Sequence, residues 1–272
     1  MAFSAVSCGR RVGFRSAYPA REIAGGQWST PTPELFLASL ATRAPAIREM
    51  AVEGGGRVSL PEGGGFVSLN AIYQEPDRLR LRGSRLDITL FDLVVDGESA
   101  SLYDRDAGAR FDGTVGELAM LSGPVAAMPP RELVAALAVL PLLRRLAEGP
   151  EPFVVSDRGG YLLAASPVPG VAGGNGIWLI RKEDGLVREF LLRGADGREE
   201  LRVQYKSWGR FGPGQQPMPT RLKVIAPGAE ATLDLDISSY RLDPGLQPRQ
   251  FEPQRARRVV PMAALLDGSW RP

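Results

Sequence analysis

The sequence predicts an α+β fold in which an antiparallel β-barrel of about ten or eleven strands is filled or capped by helices. Three observations lead there. Apolar and polar residues alternate with a period of two on both sides of the chain's middle. Short Gly-containing turns join these runs into hairpins. One strongly apolar helical segment interrupts the hairpin series. The chain has 272 residues, a length at which an all-β fold commonly stays undivided. The expected organisation is an N-terminal tether over residues 1–32 and a single domain over residues 33–272.

Residues 9–32 are rich in Gly, Pro, Ser and Arg without a sustained period, as in a tether or a coil lying over the surface. A helix is expected from Thr32-Pro33: Thr caps, Pro suits the first helical position, and Glu34 complements the helix dipole. Phe36, Leu37, Leu40, Ala41 and Ala44 give it one apolar face, and Pro45 kinks or ends it. The period then changes to two. Strands are expected over Arg57 to Leu60, Phe66 to Tyr73, Arg78 to Arg82, Ile88 to Val95 and Ser99 to Tyr103, the last two joined around Asp96-Gly97. Arg78-Leu79-Arg80-Leu81-Arg82 sets arginines on one face and leucines on the other, as in a sheet with one wet face.

Gly116 to Leu121 reads as a helical turn. A second helix from about Pro130 carries Leu133, Val134, Leu137, Leu140, Leu143 and Leu146, with Pro141 kinking it. So apolar a helix must be covered by protein or ligand over most of its circumference. Strands return from Phe153, with turns at Asp157 to Gly160, Glu183 to Gly185 and Ala195 to Gly197. Between and after these turns run Gly160 to Ser166, Gly176 to Arg181, Leu186 to Arg193, Glu199 to Ser207, Thr220 to Ile225 and Ala231 to Tyr240. Gly209 to Pro219 reads as a Gly/Pro-rich loop with an unpaired Phe211. Residues 243–258 lack a period, and a short helix closes the chain from Pro261 to Leu266 with Gly268 after it.

Composition narrows the function. The net charge is +2, too balanced for a dedicated nucleic-acid binder, so no nucleic-acid partner is expected. Lys182, Lys206 and Lys223 are the lysines; the rest of the positive charge is arginine. That bias fits a GC-rich genome, or else bidentate recognition of phosphate or carboxylate. The chain contains no histidine, which removes Ser-His-Asp and Cys-His catalysis and most zinc sites. No uninterrupted apolar stretch is long enough to span a bilayer as a helix.

Two carboxylate pairs, Asp104/Asp106 and Asp234/Asp236, have the spacing for calcium or glycoside chemistry. Gly108 after the first pair favours a turn, and the second pair sits on the wet face of a strand. Gly54-Gly55-Gly56 and Gly63-Gly64-Gly65 lack the lysine or the GxGxxG spacing of phosphate loops. They read as turns or as bulges in strongly curved strands. The four tryptophans lie in separate segments with no basic-aromatic stacking motif. Neither a cofactor nor a metal is called for, and a binding protein is expected rather than an enzyme.

Cys8 is the one cysteine. Only seven residues precede it and none is basic, which is too little for a working secretory signal. Ala5-Val6-Ser7-Cys8 nonetheless resembles the end of a bacterial lipobox, with Ala5 where Leu is usual. One reading is a start placed too late, with Cys8 acylated; the other is a free cysteine in a tail.

One segment resembles the LolA/LolB lipoprotein-carrier superfamily. Val67 to Arg82, including Pro76-Asp77-Arg78-Leu79-Arg80, matches a pair of strands of which the second opens with Pro-Asp-Xaa-Leu-Arg. Phe91 to Gly97 and Ser101-Leu102-Tyr103 continue the likeness, which covers about residues 35–112 at motif level and only element order beyond. The resemblance implies a half-open antiparallel β-barrel with a helical lid or plug, and an apolar cavity that holds the acyl chains of a lipid or lipoprotein. It implies a periplasmic protein, tethered through an acylated Cys8 to the inner leaflet of the outer membrane. LolB-type receptors are themselves lipoproteins, whereas LolA-type carriers are not. The residues expected to wall the cavity are Leu69, Leu79, Leu81, Leu102, Leu201, Val203, Leu222, Val224, Leu233 and Leu235. The alternative is a structural or assembly accessory lipoprotein at the outer membrane, whose barrel is filled by its own side chains and which works through protein contacts.

Overall fold

The computed structural model describes residues 47–122, 154–168, 171, 173–212 and 215–270. Cys8, the helix expected from Thr32 and the apolar helix expected from Pro130 to Leu146 lie outside the described residues.

The described chain is almost entirely strand. The first half contains β1 (Glu49–Leu60), β2 (Gly63–Gln74), β3 (Arg78–Arg85), β4 (Ile88–Asp96), β5 (Ser99–Asp104), β6 (Ala109–Thr114) and helix α1 (Val115–Ser122). The second half contains β7 (Val154–Arg158), β8 (Tyr161–Pro167), β9 (Asn175–Arg181), β10 (Val187–Arg193), β11 (Glu199–Phe211), β12 (Gln216–Ala226) and β13 (Ala231–Leu242). Strand β14 (Arg258–Pro261) and the short helix α2 (Ala263–Leu266) follow.

These strands make one 14-stranded sheet in the order β14-β6-β5-β4-β3-β2-β1-β13-β12-β11-β10-β9-β8-β7. It is open, with β14 and β7 as its edges among the described residues. The expectation of ten or eleven strands is therefore corrected to 14. The additional strands, β6, β7 and β14, are only four to six residues long, too short for alternation to register. Every ladder is antiparallel except β14 on β6, which is parallel; residues 243–257 carry the chain from the end of β13 to β14.

The turns follow their residues. β4 and β5 meet across a two-residue turn in which Gly97 takes φ 60, the left-handed region that glycine enters without penalty. A second correction concerns Gly209 to Pro219. There β11 and β12 continue as a ladder that pairs Trp208 with Pro219 and Phe211 with Gln216. The ladder of β12 with β13 begins only at Arg221, so Pro217 and Pro219 lie in a stretch paired on one side, where a missing N–H costs no ladder bond. Phe211 is not unpartnered: its ring meets Tyr240 edge-on at 5.0 Å.

Two apolar clusters form the core on one face of the sheet. One joins β8–β13 around Trp178, Phe190, Leu192, Leu201 and Val203. The other joins β1–β6, β12 and β13 to α1 and α2 around Tyr73, Phe111, Leu118, Met218, Tyr240 and Met262. On the opposite face, residues 243–257 run across β2–β4 as a strap. Leu246 and Phe251 bury against Val94 and Ile72, and the Arg80 guanidinium donates to the Gln250 carbonyl at 2.7 Å.

Candidate ligand-binding site

A hollow lies where the two clusters meet. Its walls come from β3, β2, β1, β13 and β12, and side-chain parity decides which residues reach it. In β2, Leu69, Ala71 and Tyr73 face inward while Ser68, Asn70 and Ile72 face out. Register then aligns neighbours across the wall: Leu79 beside Tyr73 beside Met50, and Leu81 beside Ala71 beside Val52 beside Tyr240. Leu222 pairs with Leu235 and Val224 with Leu233 further along. The cavity has a volume of about 120 Å³, is open at its mouth, and nearly all of its exposed wall is carbon. It is smaller than the usual small-molecule site and lacks the few placed polar groups that such sites normally carry.

Glycine permits the curvature that makes the hollow. A Cβ on Gly54 would lie 2.6 Å from the Asp236 carbonyl oxygen, and one on Gly56 would lie 2.1 Å from that of Asp234. β1 and β13 can approach this closely only without those side chains. The register of the pair also slips between Glu53 and Gly54, marking a bulge. The run Gly54-Gly55-Gly56 is thus a bend in a strand, and Gly63 to Gly65 lies at the start of β2.

The polar groups nearby are spent on backbone. Tyr240 donates from Oη to the Pro219 carbonyl at 2.8 Å, and the Tyr73 hydroxyl reaches the Pro76 carbonyl at 3.5 Å. Burial pushes the phenols of Tyr240 and Tyr205 well above the usual tyrosine value, so both stay neutral. The site therefore offers shape and hydrocarbon rather than charge.

The structure brings together Leu69, Leu79, Leu81, Leu222, Val224, Leu233 and Leu235 from the set the sequence nominates. Leu201 and Val203 belong instead to the sealed interior of the β8–β13 cluster. Leu102 packs at the edge of the other cluster. Sequence reasoning missed Met50, Val52, Ala71, Tyr73, Ile237 and Tyr240. Stepping by two from Leu69 finds Ala71 and Tyr73, and from Leu235 finds Ile237. Tyr240 breaks that parity because the register slip beside Gly54 adds a residue to β13.

The carboxylate pairs do not make a polar centre. Asp104 closes a turn, its Oδ1 accepting the N–H groups of Asp106 and Ala107 at 2.8 and 3.2 Å. Asp234 and Asp236 are exposed on the outer face, where Asp236 lies 3.6 Å from Arg221. Among the described residues, no cluster of three or more Cys, Asp or Glu is placed to hold a metal ion. The β3 arginines also act structurally. Arg80 binds both oxygens of the buried Asp92 at 2.8 and 2.7 Å, Arg82 reaches the same carboxylate at 3.3 Å, and Arg78 pairs with Asp96 at 2.9 Å.

No protein-family model matches the sequence, and no curated protein matches it. Solved structures do match the fold. A domain from Vibrio parahaemolyticus named for outer membrane lipoprotein sorting superposes with a TM-score of 0.57 at 9% identity, covering 80% of this chain and 95% of that one. A DUF1329 family protein from Desulfovibrio piger gives 0.59 at 12% identity, with 80% and 95% covered. A LolA superfamily protein from Nitrosomonas europaea gives 0.51 at 9% identity, with 79% and 96% covered. At these identities the likeness establishes a shared fold.

Proposed function

Starting from the LolA-type fold shared with these structures, we propose that this protein is a periplasmic lipid- or lipoprotein-binding protein that holds acyl chains in the hollow and performs no catalysis. The observation that carries the reading is the wall itself: an open cavity of nearly pure hydrocarbon at the seam between two packed cores. Burying apolar surface is worth roughly 25 cal/mol per Å², so an acyl chain binds there without any charged partner. The names of two of the similar structures, one for outer membrane lipoprotein sorting and one for the LolA superfamily, support the same cargo class. In this reading residues 1–32 are a tether, residues 33–272 are the binding domain, and an acylated Cys8 anchors the protein to the inner leaflet of the outer membrane.

The test uses the full chain and a fluorescent acyl probe. Wild type takes up the probe, and Ala71→Trp, which fills the middle of the hollow, weakens uptake at least about tenfold, the loss of one or two well-buried methylenes' worth of contact. Ala71→Phe serves if the larger ring prevents folding. A wild type that ignores the probe, or an Ala71 variant that binds it unchanged, overturns the proposal. The first of those results favours the accessory lipoprotein that acts through protein contacts. The anchor has its own test: an unmodified Cys8, in protein expressed with its upstream coding region, removes it.

A further inference from the structure

The hollow has two unlike ends. At one, Met50, Tyr73, Leu79 and Tyr240 are each 7% exposed or less. They belong to the cluster that α1, α2 and the end of the β11–β12 ladder close from behind, with Phe211 edge-on to Tyr240 and Met218 fully buried. At the other, Leu222 and Leu235 are buried, but Val224 and Leu233 next to them remain half-buried, as does Leu69 midway along the wall. The closed end also has no hydroxyl to spare, since those of Tyr73 and Tyr240 are turned to backbone carbonyls at the strand ends. A polar head placed there would lose its water and gain nothing.

We infer that Met50, Tyr73, Leu79 and Tyr240 form a floor that stops the methyl end of a single acyl chain, so that these four side chains set the longest chain the protein prefers. The inference rests on the proposed acyl-binding function. The chain enters tail first, its polar head stays at the half-buried end beside Val224 and Leu233, and specificity is for tail length rather than headgroup. Each added methylene gains contact until the tail meets the floor. A longer tail must leave its extra methylenes outside or force the packed cluster apart, and packed clusters resist overfilling.

The experiment is displacement of a fluorescent acyl probe from the full chain by a graded series of saturated fatty acids. Affinity rises about fourfold per methylene and then levels off or falls at one chain length. In Tyr73→Leu or Met50→Ala, whichever keeps the wild-type sheet spectrum, that break moves to a longer chain. In Leu233→Ala the break stays where it is while every affinity drops. A series with no break, or floor variants that leave the break in place, overturns the floor and leaves acyl binding standing. Failure of every fatty acid to displace the probe, or of the probe to bind, overturns acyl binding itself and the floor with it.

Discussion

Asp92 is the one buried charged residue among the described residues. Its carboxylate is fully buried on the outer face and is held by Arg80 through two hydrogen bonds and by Arg82 through a third. Breaking a buried pair leaves the partner charge uncompensated, which costs about 3 kcal/mol. Asp92→Asn is therefore expected to lower stability to urea by about that amount while probe binding at the hollow, on the opposite face, survives. Chemical denaturation of the two proteins checks this. Gly56 is the residue on which curvature depends. A Cβ there meets the Asp234 carbonyl at 2.1 Å, and relieving such a clash costs typically 1–3 kcal/mol. Gly56→Ala is expected to lower Tm and, by prising β1 from β13, to weaken acyl binding as well; unchanged Tm would show that the strands can part freely.

Among the elements, the strap over residues 243–257 is the least obvious from sequence and the most informative. Phe251 is buried against Val94 and Leu246, and removing such a ring costs about 3 kcal/mol or more, which a thermal melt of Phe251→Ala should register. Glu49 ties the strap's start to β1 and β2. The Leu246 N–H and the Gln74 amide, each donating to Glu49 at 2.7 Å, hold its carboxyl below the usual range. A lowered carboxylate contributes stability that is complete above its unfolded value of about 4.3 and lost as pH falls through the lower folded value. The advantage of wild type over Glu49→Gln should therefore shrink as pH drops below about 4; an advantage independent of pH would contradict the assignment. The strap lacks periodicity because, apart from one 3₁₀ turn over Pro248–Phe251, it is neither helix nor ladder, and its two anchors, Leu246 and Phe251, are too sparse to signal. The long hairpins are the opposite case. Arg78 to Arg82 alternates so strictly that its wet and dry faces, and hence Leu79 and Leu81 in the wall, are legible at once. Pro217 and Pro219 misdirect the reading because the tolerance for proline depends on which neighbour a strand lacks, a property of sheet order. Leu201, Val203 and Leu233 share one pattern, yet only Leu233 reaches the hollow; the difference lies in where the two cores fail to meet, which no single strand encodes.

At the scale of the whole molecule, one 14-stranded sheet carries two apolar cores, and the hollow lies at the seam between them. A ligand in that seam joins the two halves, so binding and stability are linked: occupancy at a hundredfold excess over Kd adds about 2.7 kcal/mol. A saturating fatty acid should accordingly raise Tm in wild type and leave it unmoved in Ala71→Trp. The measurement closest to the central claim is a native mass spectrum, with lipid extraction, of the full chain purified under mild conditions. A mass increment of one acyl-bearing molecule per chain is expected, one that disappears on delipidation and is absent from Ala71→Trp. A bare protein mass that persists after incubation with fatty acid or phospholipid would contradict it.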